Sequence, residues 1–388
     1  MNRLLYGDGQ VVVTPDRQMG CWSRRRALVA LTMAAWSAIR SSWRRSIYGH
    51  GKWGHVGDNL GQRSHALYGS EVGRGQLDDP ELASLIAAEC DIITSEGPFV
   101  WRYLEPTRYH YSYDEAERVL AFCKPRGILV RGGPLVWHDL LPAWVPHALL
   151  EGAQITFLTD FISTVVHRFA GRIHSWDVLN EVVEPASGRS DGLRVTPWLD
   201  VLGPDYMAAA FTAARQADPR TLLGYNEFGL EPDTPFADRK RAAALALIHR
   251  FVSSGVPIDY LGVQAHLTAG ETYSDRGLGT LLKEIADLGI LAFVTELDVN
   301  DQSLPSDPKV RDVGVASQVD RFLDVALRNV KLPLVITWGV TDRTTWQQQV
   351  HPRADSLPQR ALPFDADLKP KETWDVLVRR LGLVRPRQ

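Results

Sequence analysis

Glu181 and Glu296 carry the clearest chemistry in this 388-residue chain. Glu181 follows the run Ile173-His-Ser-Trp-Asp-Val-Leu-Asn180, and Glu296 follows Leu291-Ala-Phe-Val-Thr295 and precedes Leu297-Asp298. Both runs have the length and apolar content of a strand, and each delivers a carboxylate at its C-terminal end. Acidic side chains are rarely buried without a partner, so two such ends point to one shared polar site. A pair of facing carboxyl groups, one protonated and one ionised, is what cleavage of a glycosidic bond requires.

Groups so far apart in sequence need a framework that gathers strand ends. Strand-like runs recur at Ala66–Val72, Asp91–Thr94, Ile128–Gly132, His174–Asn180, Thr221–Asn226, Tyr260–Gln264, Leu291–Glu296 and Leu334–Trp338. Helical patterns lie between them. In Glu151–Phe169 the apolar residues Ile155, Leu158, Ile162, Val165, Val166 and Phe169 fall on one face, and Leu245–Val252 and Leu281–Leu288 behave alike. Strands alternating with helices imply parallel pairing through right-handed crossovers. Eight units fit a single-domain α/β fold, a closed (β/α)8 TIM barrel over residues 64–388. A doubly wound open sheet is the alternative, but no Gly-rich phosphate loop follows any strand.

Catalytic groups of such a barrel sit at the C-terminal ends of its strands. Those ends supply Glu96, Trp137-His138, Asn180-Glu181, Asn226-Glu227, Gln264 with His266, Glu296 with Asp298, and Trp338. Seven of the eight runs therefore end in polar or indole groups able to bind and protonate a sugar.

Charge and cysteine content narrow the function classes. Residues 1–63 hold ten Lys and Arg against three Asp, leaving 33 basic against 43 acidic residues in the remainder. An acidic folded part argues against a nucleic-acid partner, which needs a basic stripe. Three cysteines make no disulfide framework, although Cys90 and Cys123 could pair in an oxidising compartment. No ligand spacing suggests a metal, no cofactor is expected, and no feature calls for a partner chain, so a monomer is expected.

The N-terminal segment reads as targeting. Ser23-Arg24-Arg25-Arg26 precedes the uncharged, mostly apolar stretch Ala27–Ile39. A charged segment before such a stretch is the pattern of an export signal, here of twin-arginine type, with Met19 as an alternative start. The stretch is shorter than the roughly 20 residues of a membrane span. Residues 1–39 are thus expected to be a signal region and 40–63 a basic flexible linker, giving a periplasmic or secreted protein.

The segments Trp176-Asp-Val-Leu-Asn-Glu181, Gln264-Ala-His266, Thr295-Glu-Leu-Asp298 and Thr337-Trp-Gly-Val-Thr-Asp342 together resemble glycoside hydrolase family 10, typically endo-β-1,4-xylanases. The resemblance runs from about Leu67 to Leu383. It implies that Glu181 is the general acid/base and Glu296 the nucleophile of a retaining hydrolase, with carboxyls about 5–5.5 Å apart. It also implies that His266 and Asp298 keep Glu296 charged and oriented, and that Asn180 bonds the sugar 2-hydroxyl. Gln264 would contact Glu181 or sugar, and Trp137, Trp338 and Trp346 would offer flat faces to pyranose rings. His138, Glu96 and Asn226 complete the expected substrate contacts. Blander readings stand beside these: a core histidine for His266, a turn cap for Asp298, core packing for Trp176, packing or cleft wall for Trp144 and Trp198, and loop carboxylates for Glu184 and Glu227.

The pattern departs from the family on one side of the site. The family's Thr-Pro-Glu-Asn-Glu-Met-Lys-Trp is here Thr94-Ser-Glu-Gly-Pro-Phe-Val-Trp101, and its Gly-His-Thr-Leu-Val-Trp-His-Ser-Gln is Gly132-Gly-Pro-Leu-Val-Trp-His-Asp-Leu140. Polar groups that grip glycone sugars in the family are replaced by Gly97, Val100, Gly133 and Leu140. The expectation is intact retaining machinery with reshaped glycone subsites, open to a substituted or differently linked polysaccharide such as a bacterial exopolysaccharide. A barrel that binds carbohydrate with little turnover is the alternative from another class.

Overall fold

A computed structural model describes residues 66–383. The expected signal region and linker lie outside these residues. Among the described residues there are nine strands: β1 (Leu67–Glu71), β2 (Ile92–Thr94), β3 (Leu129–Gly132), β4 (Ser175–Asn180), β5 (Leu222–Glu227), β6 (Tyr260–Val263), β7 (His266–Thr268), β8 (Leu291–Asn300) and β9 (Leu334–Thr337). Every pairing is parallel, and the pairings β1–β9 and β6–β8 close the sheet into an eight-stranded barrel. The ninth strand, β7, has no counterpart in the sequence reading. It pairs only with the upper half of β8.

The helices that wrap the barrel start where the sequence supplies caps. Thr234 accepts the Ala237 N–H at 3.1 Å ahead of helix Pro235–Ser253. Asp307 accepts from Lys309 and Val310 ahead of Pro308–Asn329. In both, Pro occupies the first helical position, where its missing N–H has no intrahelical partner to lose. Helix Ile155–Arg168 buries Leu158, Phe161, Ile162, Val165 and Val166 against the sheet, the face its periodicity predicts. Cys90 and Cys123 are buried free thiols, not a disulfide.

The barrel interior changes character from floor to mouth. Leu67, Ile92, Tyr260, Phe293, Leu334 and Ile336 form a small apolar cluster separate from the main core. Above it, the Arg131 guanidinium pairs with Asp177, and the Tyr260 hydroxyl donates to the other Asp177 oxygen at 2.6 Å. Breaking such a buried pair from one side costs about 3–5 kcal/mol, because a charge is left uncompensated. Two glycines make this filling possible. A Cβ on Gly224 would lie 2.1 Å from the Tyr260 ring, and one on Gly262 would lie 2.3 Å from Asn226 Oδ1.

Candidate active site

Strict alternation along β4 and β8 would not aim both carboxylates inward. Each strand carries a register shift near its acidic residue: between Asp177 and Leu179 against β5, ahead of Glu181, and between Val294 and Leu297 against β9, a span that contains Glu296. An extra residue of this kind re-aims the side chains that follow. Glu181 and Glu296 line one cavity, together with Glu96, Asn180, Trp137 and Trp338.

Glu181 follows β4 with φ 56°, a left-handed conformation that costs a non-glycine residue of order 1–3 kcal/mol. Local bonds hold it there. Its N–H donates to Asn226 O at 2.9 Å, and its carbonyl accepts Arg194 Nε at 2.7 Å. The carboxylate accepts from Trp137 Nε1 at 3.0 Å on one oxygen, and from Asn180 Nδ2 and Gln264 Nε2, each at 3.2 Å, on the other. All three side-chain donors are neutral.

Glu296 is held differently. Asn226 Nδ2 donates to one of its oxygens at 2.6 Å, and His266 Nε2 lies 3.1 Å from the other. His266 Nδ1 is 2.9 Å from Asp298 Oδ1. Asp298 in turn accepts from Trp346 Nε1 at 2.5 Å and from Gln347 Nε2 at 2.9 Å. The β7–β8 ladder places His266 directly opposite Asp298, so backbone register fixes the ring against its partner. Burial works against a charged imidazole, but Asp298 and Glu296 outweigh it and hold the His266 pKa well above its ordinary value. A cationic ring between two carboxylates keeps Glu296 oriented.

The two carboxylates belong to one network. Asn180 bonds Glu181 and also accepts from Asn226 at 2.9 Å, and Asn226 bonds Glu296. Asn226, expected among the substrate contacts, is 1% exposed, and its amide is committed beneath the carboxylates.

Glu71, at the end of β1, is an acidic group that the sequence reading passed over. Its carboxyl accepts the Glu96 N–H, and burial followed by the charges of Glu96 and Glu296 pushes its pKa up to about 8. Burial, Glu296 and Glu181 push Glu96 up to about 7. The strand-end rule that picked out Glu96 would have found Glu71 had β1 been ended one residue earlier. Arg131 was also missed, because a mid-strand arginine has no signal beyond its oddity. Glu227, read as a loop carboxylate, is instead a fully buried strand residue ion-paired with Lys240. Glu184 does sit in a loop, capping a short turn and facing Arg194.

The indoles divide by burial. Trp176 and Trp198 are core, and Trp198 Nε1 supports Trp137 O at 2.7 Å. Trp144 packs on Trp101 and Phe157. Trp137, Trp338 and Trp346 are only partly covered, and His266 meets the last two edge-on at 6.1 and 5.0 Å. His138 is half-buried beside Trp137, its ring Nδ1 without a hydrogen-bond partner; burial and then Arg194 lower its pKa.

Three of the four altered positions do not leave the open space expected of them. A Cβ at Gly97 would meet the Arg74 stem at 2.9 Å, and one at Gly133 would meet Asp177 O at 2.9 Å. Val100 is buried. Arg74 lies across Gly97 with its guanidinium 4.6 Å from the Tyr103 ring centroid.

Comparison with known proteins agrees with this geometry. The profile of Glycosyl hydrolase family 10 matches residues 58–380. Endo-1,4-beta-xylanase 3 of Hypocrea jecorina is 30% identical over 83% of this chain and 84% of its own length. Endo-1,4-beta-xylanase B of Paenibacillus barcinonensis is 30% identical over 75% of this chain and 89% of its own. Among solved structures, xylanase 10B from Thermotoga maritima superposes with a TM-score of 0.73 at 27% identity, covering 83% of this chain and 97% of that one. With barrel, strand-end carboxylates and profile in agreement over the same residues, the chain is a glycoside hydrolase and belongs to glycosyl hydrolase family 10.

Proposed function

We propose that this protein is a retaining endo-β-1,4-xylanase-like hydrolase working by double displacement. The observation that carries the reading is the unequal treatment of two carboxylates in one cavity: neutral donors around Glu181, and a cationic His266 backed by Asp298 beside Glu296. Glu296 attacks the anomeric carbon as Glu181 gives its proton to the departing glycosidic oxygen, so one C–O bond forms as the other breaks. Glu181, now ionised, takes a proton from water, and that water displaces Glu296 with net retention. Asn180 is suited to the sugar 2-hydroxyl, and Trp137, Trp338 and Trp346 to the ring faces. Neither step needs a metal or cofactor.

An aryl β-xylobioside tests the reading. The expected result is a burst of phenol from the wild type and none from Glu296→Ala; a full burst from that variant overturns the assignment.

A second reading concerns the polymer. Gly97, packed under Arg74, stands where the family has an asparagine, and the loss of that polar contact motivates a substituted or differently linked β-glycan as the alternative to plain xylan. A polysaccharide panel decides between them, and unbranched xylan as the best substrate by a wide margin removes this second reading. Export is proposed from the Ser23–Ile39 segment; among the described residues no helix is long and apolar enough to cross a membrane.

A further inference from the structure

Directly beneath Glu181 lies a buried ion pair that the double displacement above does not use. Glu227, the last residue of β5, and Lys240, from helix Pro235–Ser253, are both 0% exposed. Charged groups so far from water are kept only with a full set of partners, and Glu227 has one. Lys240 Nζ is 2.9 Å from Oε1, which also accepts the Phe228 N–H at 3.2 Å. The other oxygen accepts the Tyr225 hydroxyl at 2.5 Å and the Val183 N–H at 3.1 Å.

Two of the contacts of Glu227 lead to Glu181. Val183 is two residues beyond Glu181, so the carboxylate pins the chain just after the left-handed residue. The Glu227 carbonyl accepts the Gln264 N–H at 3.0 Å, and Gln264 is a donor to the Glu181 carboxylate. The Phe228 ring ties in a third strut: Lys240 Nζ lies 3.2 Å from its centroid and Arg194 Cζ 5.7 Å, while Arg194 Nε holds the Glu181 carbonyl. Glu296, by contrast, is supported through the side chains of Asn226 and His266.

We infer that Glu227 and Lys240 are positioning residues for proton transfer by Glu181: the pair braces the strained turn that aims this carboxyl at the leaving oxygen. The inference rests on Glu181 being the acid/base. Misplacing a general acid by a fraction of an ångström slows departure of a poor leaving group and leaves a good one almost unaffected, since the latter needs no proton.

The test uses Glu227→Gln with Lys240→Met, a double variant that removes both charges at nearly constant volume and strands neither. Single variants would leave one buried charge unpaired, so the double variant keeps the test independent of folding, with a thermal melt as check. kcat/KM is measured for the phenyl and the 2,4-dinitrophenyl β-xylobiosides. A loss on the order of 10-fold or more with phenyl, against less than about 3-fold with dinitrophenyl, is expected. Equal losses on both substrates, or no loss on either, overturn the brace. Glu181→Ala measured in parallel separates the two ideas. If it too lacks leaving-group selectivity, the acid/base assignment has failed; if it has that selectivity and the double variant does not, only the brace has failed.

Discussion

The Glu181 and Glu296 halves of the cavity reach a similar end by opposite means. On the Glu181 side the backbone is strained, the donors are neutral, and a buried ion pair holds the chain behind. On the Glu296 side the backbone stays a strand, and a cationic ring in ladder register with Asp298 touches the carboxylate itself. A neutral hydrogen bond contributes about 1 kcal/mol and a charged one about 1.5–3. Glu181 thus meets three neutral side-chain donors, whereas Glu296 meets an imidazole that is backed by Asp298. The lesson is that a carboxylate can be placed either through its own backbone or through a charged neighbour.

That contrast can be broken most severely at the carboxylates. Glu296→Ala should reduce turnover by on the order of 10⁵-fold for activated and unactivated substrates alike. Glu181→Ala should lose about 10²–10⁴-fold on polymer and far less on a dinitrophenyl glycoside; steady-state kinetics on both substrates checks the pair. Next comes the support of Glu296. Asp298→Asn removes one of the charges that keep His266 protonated, and kcat should fall by about 10–100-fold with little change in KM.

A smaller effect comes from Glu71 and Glu96. Both carboxyls are raised in the folded protein, to about 8 and about 7. Between the ordinary carboxylate range and those values the folded state holds protons that the unfolded chain has lost, so stability falls as pH rises through this window. Above it, two new negative charges also face Glu296. Glu71→Gln should flatten the decline in melting temperature from pH 5 to 8 and extend activity to higher pH. An unchanged profile would mean that Glu71 stays neutral throughout. The mildest change is Arg74→Ala with Gly97→Asn, which restores a polar group on the glycone side. Preference for unbranched xylan over substituted polymers should rise by about 10-fold, read as a ratio of kcat/KM values.

The barrel and the residues at its mouth were legible because two simple signals coincide. Apolar runs of strand length gave β1 to β6, β8 and β9, and their polar ends gave Glu96, Trp137, Asn180, Glu181, Gln264, Glu296 and Trp338. What stayed hidden depends on register. β7 is three residues long, too short for any periodicity, yet it is what sets His266 against Asp298. The shifts in β4 and β8 leave no mark in composition. Burial of charge was equally opaque: Glu227 and Lys240 are ordinary surface residue types until the fold brings them together, and Arg131 is explained only by Asp177 across the strand.

The register shift in β8 carries a consequence for how such a chain can fail. It makes the aim of Glu296 depend on one surplus residue in an otherwise regular ladder. Deleting that residue would leave hydrophobic layers, helices and closure largely undisturbed while swinging the carboxylate toward the barrel wall. Solubility and melting behaviour would then say nothing about competence, and a well-folded sample could be inert. In this architecture the part that makes the protein durable and the part that makes it an enzyme are separated by a one-residue slip.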